Sequence, residues 1–189
     1  MPIKDKEKAC LIPMRLQPLH KGHVEILKQL EVEFEKIYIL LGSDTYPEEK
    51  NPFSFLERQQ ILFTHAGIER NKLVVLKGQN FKKNEDWVKY IAKLMDSHKI
   101  STFACSDKEN YEKWFTKEPG VNVKKYKINT QVSATNVREK LDKICNLMLE
   151  SPEFCNIFYE GKTMLPNNSE KYAKKLIVLK LQERLEGKQ

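Results

Sequence analysis

The sequence predicts an α/β fold: a doubly wound, parallel five-stranded sheet covered by helices, followed by a C-terminal helical appendage. Three observations carry that expectation. Five short apolar runs of strand length recur in the first two-thirds of the chain, and amphipathic stretches separate them. The run Ile37–Leu41 is apolar throughout, as a strand buried on both faces is. At roughly 150 residues per domain, 189 residues allow one domain and a modest appendage.

Each element has its own signal. Ala9–Met14 reads as the first strand, and Val24, Leu27, Leu30 and Phe34 then recur at helical spacing across Lys21–Phe34. Ile37–Leu41 is the second strand, ending at Gly42. Ser54-Phe-Leu-Glu57 has the form of a capping box and opens a helix through about Gly67. Leu73–Leu76 is the third strand, followed by a helix from about Asn84 to His98. Ile100–Cys105 is the fourth strand; Ser106-Asp-Lys-Glu109 repeats the capping box and predicts a short helix to Phe115. Val121–Ile128 is the fifth strand, and a helix from about Ser133 to Leu149 closes the pattern. Residues 1–149 are thus expected to form the main domain and 150–189 the appendage, with helical stretches at Pro152–Phe158 and Ser169–Leu185.

Composition narrows the setting. Hydrophobic residues at 40% against 31% charged exclude a wholly disordered chain. No apolar run approaches the roughly 18–20 residues of a membrane span, and the charged N-terminus is not that of a signal peptide. Lysine and arginine exceed aspartate and glutamate by 33 − 26 = 7, and a surplus of that size suits anionic partners without choosing among them. Lysines form only short runs, such as Lys82-Lys83, Lys124-Lys125 and Lys174-Lys175, which reads as a solvated basic surface rather than a nucleic-acid groove. Cys10, Cys105, Cys145 and Cys155 are widely spaced with no Cys-x-x-Cys, so reduced thiols and a cytoplasmic location are expected.

The densest chemistry lies in Met14-Arg-Leu-Gln-Pro-Leu-His-Lys-Gly-His23, between the first strand and the first helix. Backbone N–H groups and the helix dipole favour an anion there. His20 and His23 share a helix face if the helix begins at His20, and Gly22 lets a phosphate approach the backbone. With Arg15, the two imidazoles would suit a polyphosphate. A zinc site would want a third ligand and a glutamate after the first histidine, where Lys21 stands. Two ordinary surface histidines remain the plain alternative. A second segment, Ser133-Ala-Thr135-Asn-Val-Arg138, opens the last main helix. Ser133 or Thr135 could serve simply as N-cap, while Arg138 could reach an anion held at that helix start.

Together, His20-x-Gly22-His23 and Ser133-x-Thr135-x-x-Arg138 resemble the signature pair of the nucleotidylyltransferase superfamily. The longer string Arg15-x-Gln17-Pro18-x-His20-x-Gly22-His23 resembles the archaeal-type nicotinamide-mononucleotide adenylyltransferases, as do Gly42-Ser43, Asn51-Pro52-Phe53 with Glu57-Arg58, and Trp87; the matches span roughly residues 10–140 in the family's order. The resemblance implies a Rossmann-like sheet and the reaction of ATP with nicotinamide mononucleotide to give NAD and pyrophosphate. It implies that His20, His23, Arg15 and Arg138 carry the catalysis, and that Gln17, Gly22, Ser133, Thr135 and Arg138 bind ATP. Gly42, Ser43, Lys50, Asn51 and Trp87 would bind the mononucleotide, with Trp87 stacked on its ring. Lys50 is equally readable as a surface lysine, and Trp87 as a core or lid residue. The attacking phosphate oxygen is already anionic, so no general base is required, and magnesium would be held by the ATP phosphates rather than by the protein. A homo-oligomer is expected on the same ground.

The chain departs from the family at Met14, where relatives generally carry glycine, and at Asp44-Thr45, where they carry alanine and glutamine. Pro13 is expected to suit an edge or a strand terminus better than a central strand. Another phosphate acceptor, such as nicotinic acid mononucleotide, flavin mononucleotide or phosphopantetheine, or CTP as donor, would keep the fold and reaction type. A non-catalytic nucleotide- or nucleic-acid-binding module is the alternative from a different class.

Overall fold

The computed structural model describes residues 7–42, 51, 53–118, 120–131, 133, 135–137 and 139. The expected division at residue 149, the appendage, Ser43, Asp44, Lys50, Arg138, Cys145 and Cys155 lie outside them. The chain forms β1 (Glu7–Met14), α1 (Lys21–Glu33), β2 (Phe34–Leu41), α2 (Phe55–His65), β3 (Leu73–Lys77), α3 (Asn84–Ser97), β4 (Thr102–Ser106) and β5 (Asn122–Tyr126). The five strands are parallel and ordered β3-β2-β1-β4-β5. Successive strands therefore run outward from β1 in one direction and then in the other, which puts the topological switch between β1 and β4.

Strand alternation divides the core into two layers. Cys10, Ile12 and Met14 of β1, with Ile37, Ile39 and Leu41 of β2, face Ile26, Leu27 and Leu30 of α1 and Ile61 and Leu62 of α2. Leu11, Leu40, Phe103 and Cys105 point the other way, onto Val88, Ile91 and Met95 of α3. These three α3 residues recur three and four apart, so one stripe of the helix is buried. Each fully buried side chain of this size contributes roughly 1.5–3 kcal/mol. Cys10 and Cys105 are buried. Among the described residues no helix is long and apolar enough to cross a membrane.

Most predicted elements are present, with two instructive differences. Phe34 was expected to extend α1, but it is the first residue of β2; its N–H donates to Leu30 O as the helix closes, and its ring is fully buried. The helix expected after Ser106 is only a single 3₁₀ turn at Tyr111–Lys113. The cap itself forms, since Ser106 N–H donates to Glu109 Oε2 at 3.3 Å. The capping box at Ser54 is complete: Glu57 N–H donates to Ser54 Oγ at 3.3 Å and Ser54 N–H to Glu57 Oε2 at 3.1 Å.

Pro13 is the penultimate residue of the central strand, so it sits at a strand terminus as expected although the strand is not an edge, and the ladder gives the reason. In a parallel strand the N–H and C=O of one residue point to the same neighbour, and successive residues alternate. Met14 O accepts from Gly42 N–H at 3.1 Å, so Met14 faces the β2 side and Pro13 faces β4. The β1–β4 register consists of Cys10↔Thr102 and Leu11↔Phe103, whereas β1 stays paired with β2 as far as Met14↔Leu41. Proline has no donor to give on the β4 side, and the paired register there ends at Leu11↔Phe103.

At the carboxyl ends of β2 and β3 the backbones are nearly in contact. Gly78 N–H donates to Leu41 O at 2.9 Å. A Cβ on Gly78 would sit 2.9 Å from that oxygen and 3.3 Å from Gly42 Cα. Because both obstacles are main chain, Gly78→Ala is expected to lose about 1–3 kcal/mol in urea denaturation.

Candidate active site

The cavity of about 660 Å³ lies where β1 and β4 part, at the carboxyl edge of the sheet. Its walls include the β1–α1 turn, the segment after β3, the first residues of α3 and the turn after β4. Ser133 reaches it from the chain beyond β5. The two sequence segments singled out for phosphate chemistry are thereby brought to one space.

Building the β1–α1 turn requires one unfavourable backbone conformation. Leu16 has a φ of 50°, which costs a residue with a Cβ about 1–2 kcal/mol. Its side chain is 1% exposed, and burial of a leucine is worth roughly 1.5–3 kcal/mol, so packing outweighs the strain. Gln17 then fixes the turn from outside the cavity. Its Nε2 donates to Phe53 O at 2.8 Å and its Oε1 accepts from Phe53 N–H at 3.0 Å. Both ends of the amide are thus engaged with backbone, which makes Gln17 a positioning residue in this structure. Arg58, fully buried, donates from Nη1 to Arg15 O at 2.9 Å and to Gly42 O at 2.6 Å. One guanidinium therefore holds the ends of β1 and β2 together. The sequence noted Glu57-Arg58 only as a family match; a lone arginine on an amphipathic helix gives no signal that it is buried.

His20 is the N-cap residue of α1, and His23 lies in its first turn. Their rings stack with centroids 3.7 Å apart and planes at 29°. His20 N–H donates to His23 Nδ1 at 3.3 Å, which leaves the proton of a neutral His23 on Nε2. His20 Nδ1 is buried and has no hydrogen-bond partner among the described residues. Helix geometry also leaves the N–H groups of Lys21 and Gly22 without intrahelical acceptors.

The surroundings of the two rings set their charge state. Burial, followed by the nearby Lys108 ammonium, lowers the His20 pKa to about 4. Burial, followed by His20, holds His23 well below its ordinary value. Near neutral pH both rings are uncharged donors and acceptors, as close stacking requires. Charged groups in the cavity wall are instead Arg15, whose Nη2 donates to Asn51 Oδ1 at 3.2 Å, Lys83, and, beyond β4, Lys108 beside the Glu109 carboxyl. Lys108 lies inside the Ser106-Asp-Lys-Glu109 capping box, and no spacing in the sequence marks it as a cavity residue.

The other expected residues fall as follows. Gly22, Gly42 and Met14 line the cavity. Ser133 does so as well, and its Oγ accepts from Asn136 N–H at 3.2 Å, the bond of an N-cap. Thr135 lies one residue before Asn136, exposed and outside the cavity wall. Asn51 is buried under Arg15 rather than in the wall. Trp87 lines the cavity and also belongs to an aromatic cluster, stacked on Tyr111 at 5.5 Å and edge-on to Trp114 at 5.7 Å. Trp87 thus lines the cavity and packs within the cluster at once.

Residues 15–140 match the cytidylyltransferase-like family. The chain belongs to that family. The nicotinamide-nucleotide adenylyltransferase of Caldivirga maquilingensis is 26% identical over 135 residues, which cover 68% of this chain and 74% of the relative. That of Pyrobaculum aerophilum is 28% identical over 142 residues, or 72% of this chain and 78% of the relative. Among solved structures, a bifunctional NMN adenylyltransferase/ADP ribose pyrophosphatase from Francisella tularensis aligns with a TM-score of 0.60 at 26% identity. The alignment covers 72% of this family member and 42% of that bifunctional chain. The same bifunctional enzyme complexed with AMP and manganese gives a TM-score of 0.65 at 22% identity, covering 92% and 51% of the two chains, a likeness of fold alone.

The Lys108 ammonium helps keep His20 neutral, so its removal has a definite sign. In Lys108→Ala the protonated imidazole loses a like charge, and the His20 pKa should rise from about 4 toward its ordinary value. Titration of the His20 ring resonances by NMR measures it; an unchanged or lower midpoint would show that Lys108 does not act on this ring.

Proposed function

We propose that this chain is a nicotinamide-nucleotide adenylyltransferase, joining the AMP moiety of ATP to nicotinamide mononucleotide to give NAD and pyrophosphate. The observation that carries the reading is the stacked His20–His23 pair at the start of α1, in one cavity with Ser133 at the sheet's switch point. The relatives named above support ATP as donor and nicotinamide mononucleotide as acceptor.

The chemistry suits the groups available. A phosphate oxygen of the mononucleotide attacks the α-phosphorus of ATP in line, forming the new P–O bond as the bond to the β-phosphate breaks, and pyrophosphate leaves with the electron pair. No side chain has to remove a proton. The protein's contribution is alignment and stabilisation of charge on the non-bridging and leaving oxygens. His20 and His23 act as donors already in place, and an arriving triphosphate favours their protonated forms, so positive charge develops where the phosphates sit. Arg15 and Lys108 add fixed charge, while Ser133 and the free N–H groups of Lys21 and Gly22 add dipoles. Arg138 extends this reading from the sequence, with a role at the β/γ end of ATP.

Magnesium fits as an ion carried on the ATP phosphates and water. The donors around the cavity are mostly imidazole, guanidinium, ammonium and hydroxyl groups, which suit phosphate oxygens. Among the described residues no three His, Cys, Asp or Glu side chains converge on one point. When bound, the ion supplies charge neutralisation between the phosphates. Trp87, Tyr111 and Trp114 all line the cavity and form an aromatic wall suited to a flat pyridine ring.

The decisive experiment is product analysis by mass spectrometry with ATP and magnesium against nicotinamide, nicotinic acid and flavin mononucleotides and phosphopantetheine, with CTP as second donor. NAD should form fastest; a different fastest product would move the acceptor assignment, and no product from any pair would favour a binding module. His20→Ala should lower kcat by roughly 10²–10³ with ATP affinity much less affected, and an unchanged rate would remove His20 from the reacting phosphate. Trp87→Ala should raise KM for the mononucleotide about tenfold. An effect confined to KM for ATP would place the aromatic wall at the adenosine instead.

A further inference from the structure

Three polar side chains at successive turns of α1 grip the chain at and beyond the edge strand β5. Glu33 accepts from Lys124 Nζ and, at 2.7 Å, from Tyr126 Oη. Gln29 Nε2 donates to Lys127 O at 2.9 Å. Glu25 holds the segment after the strand: its Oε1 accepts from Asn129 N–H at 2.9 Å and Nδ2 at 3.0 Å, and its Oε2 from Thr130 N–H at 3.1 Å and Oγ1 at 2.6 Å. The β4–β5 ladder ends at Ser106↔Tyr126. Downstream, the chain reaches Ser133 in the cavity wall without a sheet partner in the ladder to fix it.

We propose that Glu25 is a positioning residue that sets Ser133 against the histidine pair, so that both turns meet one triphosphate. Glu25 stands two residues beyond His23 on the same helix, so it ties the second turn to the element that presents the first. The saturation of the carboxylate matters as much as its reach. A bare carboxylate on the helix that presents the histidine pair would repel a triphosphate, whereas one engaged by four donors has its charge largely compensated locally. Those donors, the Thr130 hydroxyl foremost, hold its pKa below the ordinary carboxylate value, so it stays ionised and keeps accepting. The proposal rests on the cavity being a triphosphate site.

The test compares Glu25→Ala and Glu25→Gln with the parent chain and with Glu31→Gln. Glu31 is on the same helix but pairs with Lys72 at 3.6 Å, away from this segment, so it controls for the loss of one negative charge. Amide hydrogen exchange at Asn129 and Thr130, equilibrium affinity for ATP with magnesium, and separate KM and kcat values for both substrates are measured. In Glu25→Ala the two amides should exchange about tenfold faster, and ATP affinity should fall roughly tenfold while KM for the mononucleotide stays within about twofold. Glu25→Gln, which keeps one acceptor oxygen, should fall between, and Glu31→Gln should match the parent.

Faster exchange with ATP affinity unchanged would overturn the proposal and leave Glu25 a purely structural clamp. Equal losses toward both substrates would overturn it too. If Glu25→Ala fails to fold, Glu25→Gln is judged by the same criteria. ATP binding is read without turnover, so failure of the parent chain to make any dinucleotide would count against adenylyl transfer and leave this test standing.

Discussion

Beyond Leu11, β1 keeps one hydrogen-bonded neighbour and loses the other, and the site depends on that asymmetry. The ladder to β2 continues to Met14 while the ladder to β4 has stopped, so the sheet stays intact on one side and opens on the other. A proline on the opening side leaves no orphaned N–H. Connections on the two sides of β1 leave in opposite directions across the sheet, and among the described residues a cavity lies above the gap. A cavity at the carboxyl edge follows from strand order, and Pro13 makes it compatible with the backbone's hydrogen-bond requirements.

An open crevice is useful only if its rim is rigid, and here polar side chains supply the rigidity that the ladder no longer gives. Arg58 joins the carbonyls of Arg15 and Gly42, Gln17 pairs with both backbone groups of Phe53, and Glu25 gathers the segment beyond β5. Each of these groups gives main-chain atoms outside the ladder a partner, and those of Phe53 are buried, where an unpaired group is costly. Burial that makes such bonds strong also suppresses the charge of His20 and His23. The free site is therefore less positive than its residue list, and a phosphate ligand would draw out charge that the empty cavity disfavours.

Local signals were legible wherever the physics was local. Ser54 and Glu57 form the reciprocal cap that their spacing foretold, and the apolar spacing of α3 predicts the stripe it buries. Phe34 was misread because its spacing continues the α1 stripe, yet the same burial is achieved from the first position of a strand. Ser106 and Glu109 made the cap without the helix: a capping box satisfies the start of a turn and says little about how far the helix propagates. Lys108 and Arg58 carry no periodicity or spacing signal that separates them from surface cations.

What the sequence by itself determined was the α/β class, the order of strands and helices along the chain, and the residue types suited to a polyphosphate at His20–His23 and Ser133. These follow from periodicity, capping and chemistry, all of which act over a few residues. Only the tertiary structure decided that β1 is central with Pro13 facing an open side, that Gln17 braces the turn from behind, that Lys108 joins the cavity, and that the histidines are neutral there. Each of those depends on which groups lie beside which after folding, because hydrogen-bond partnership and desolvation are set by neighbours in space rather than in sequence.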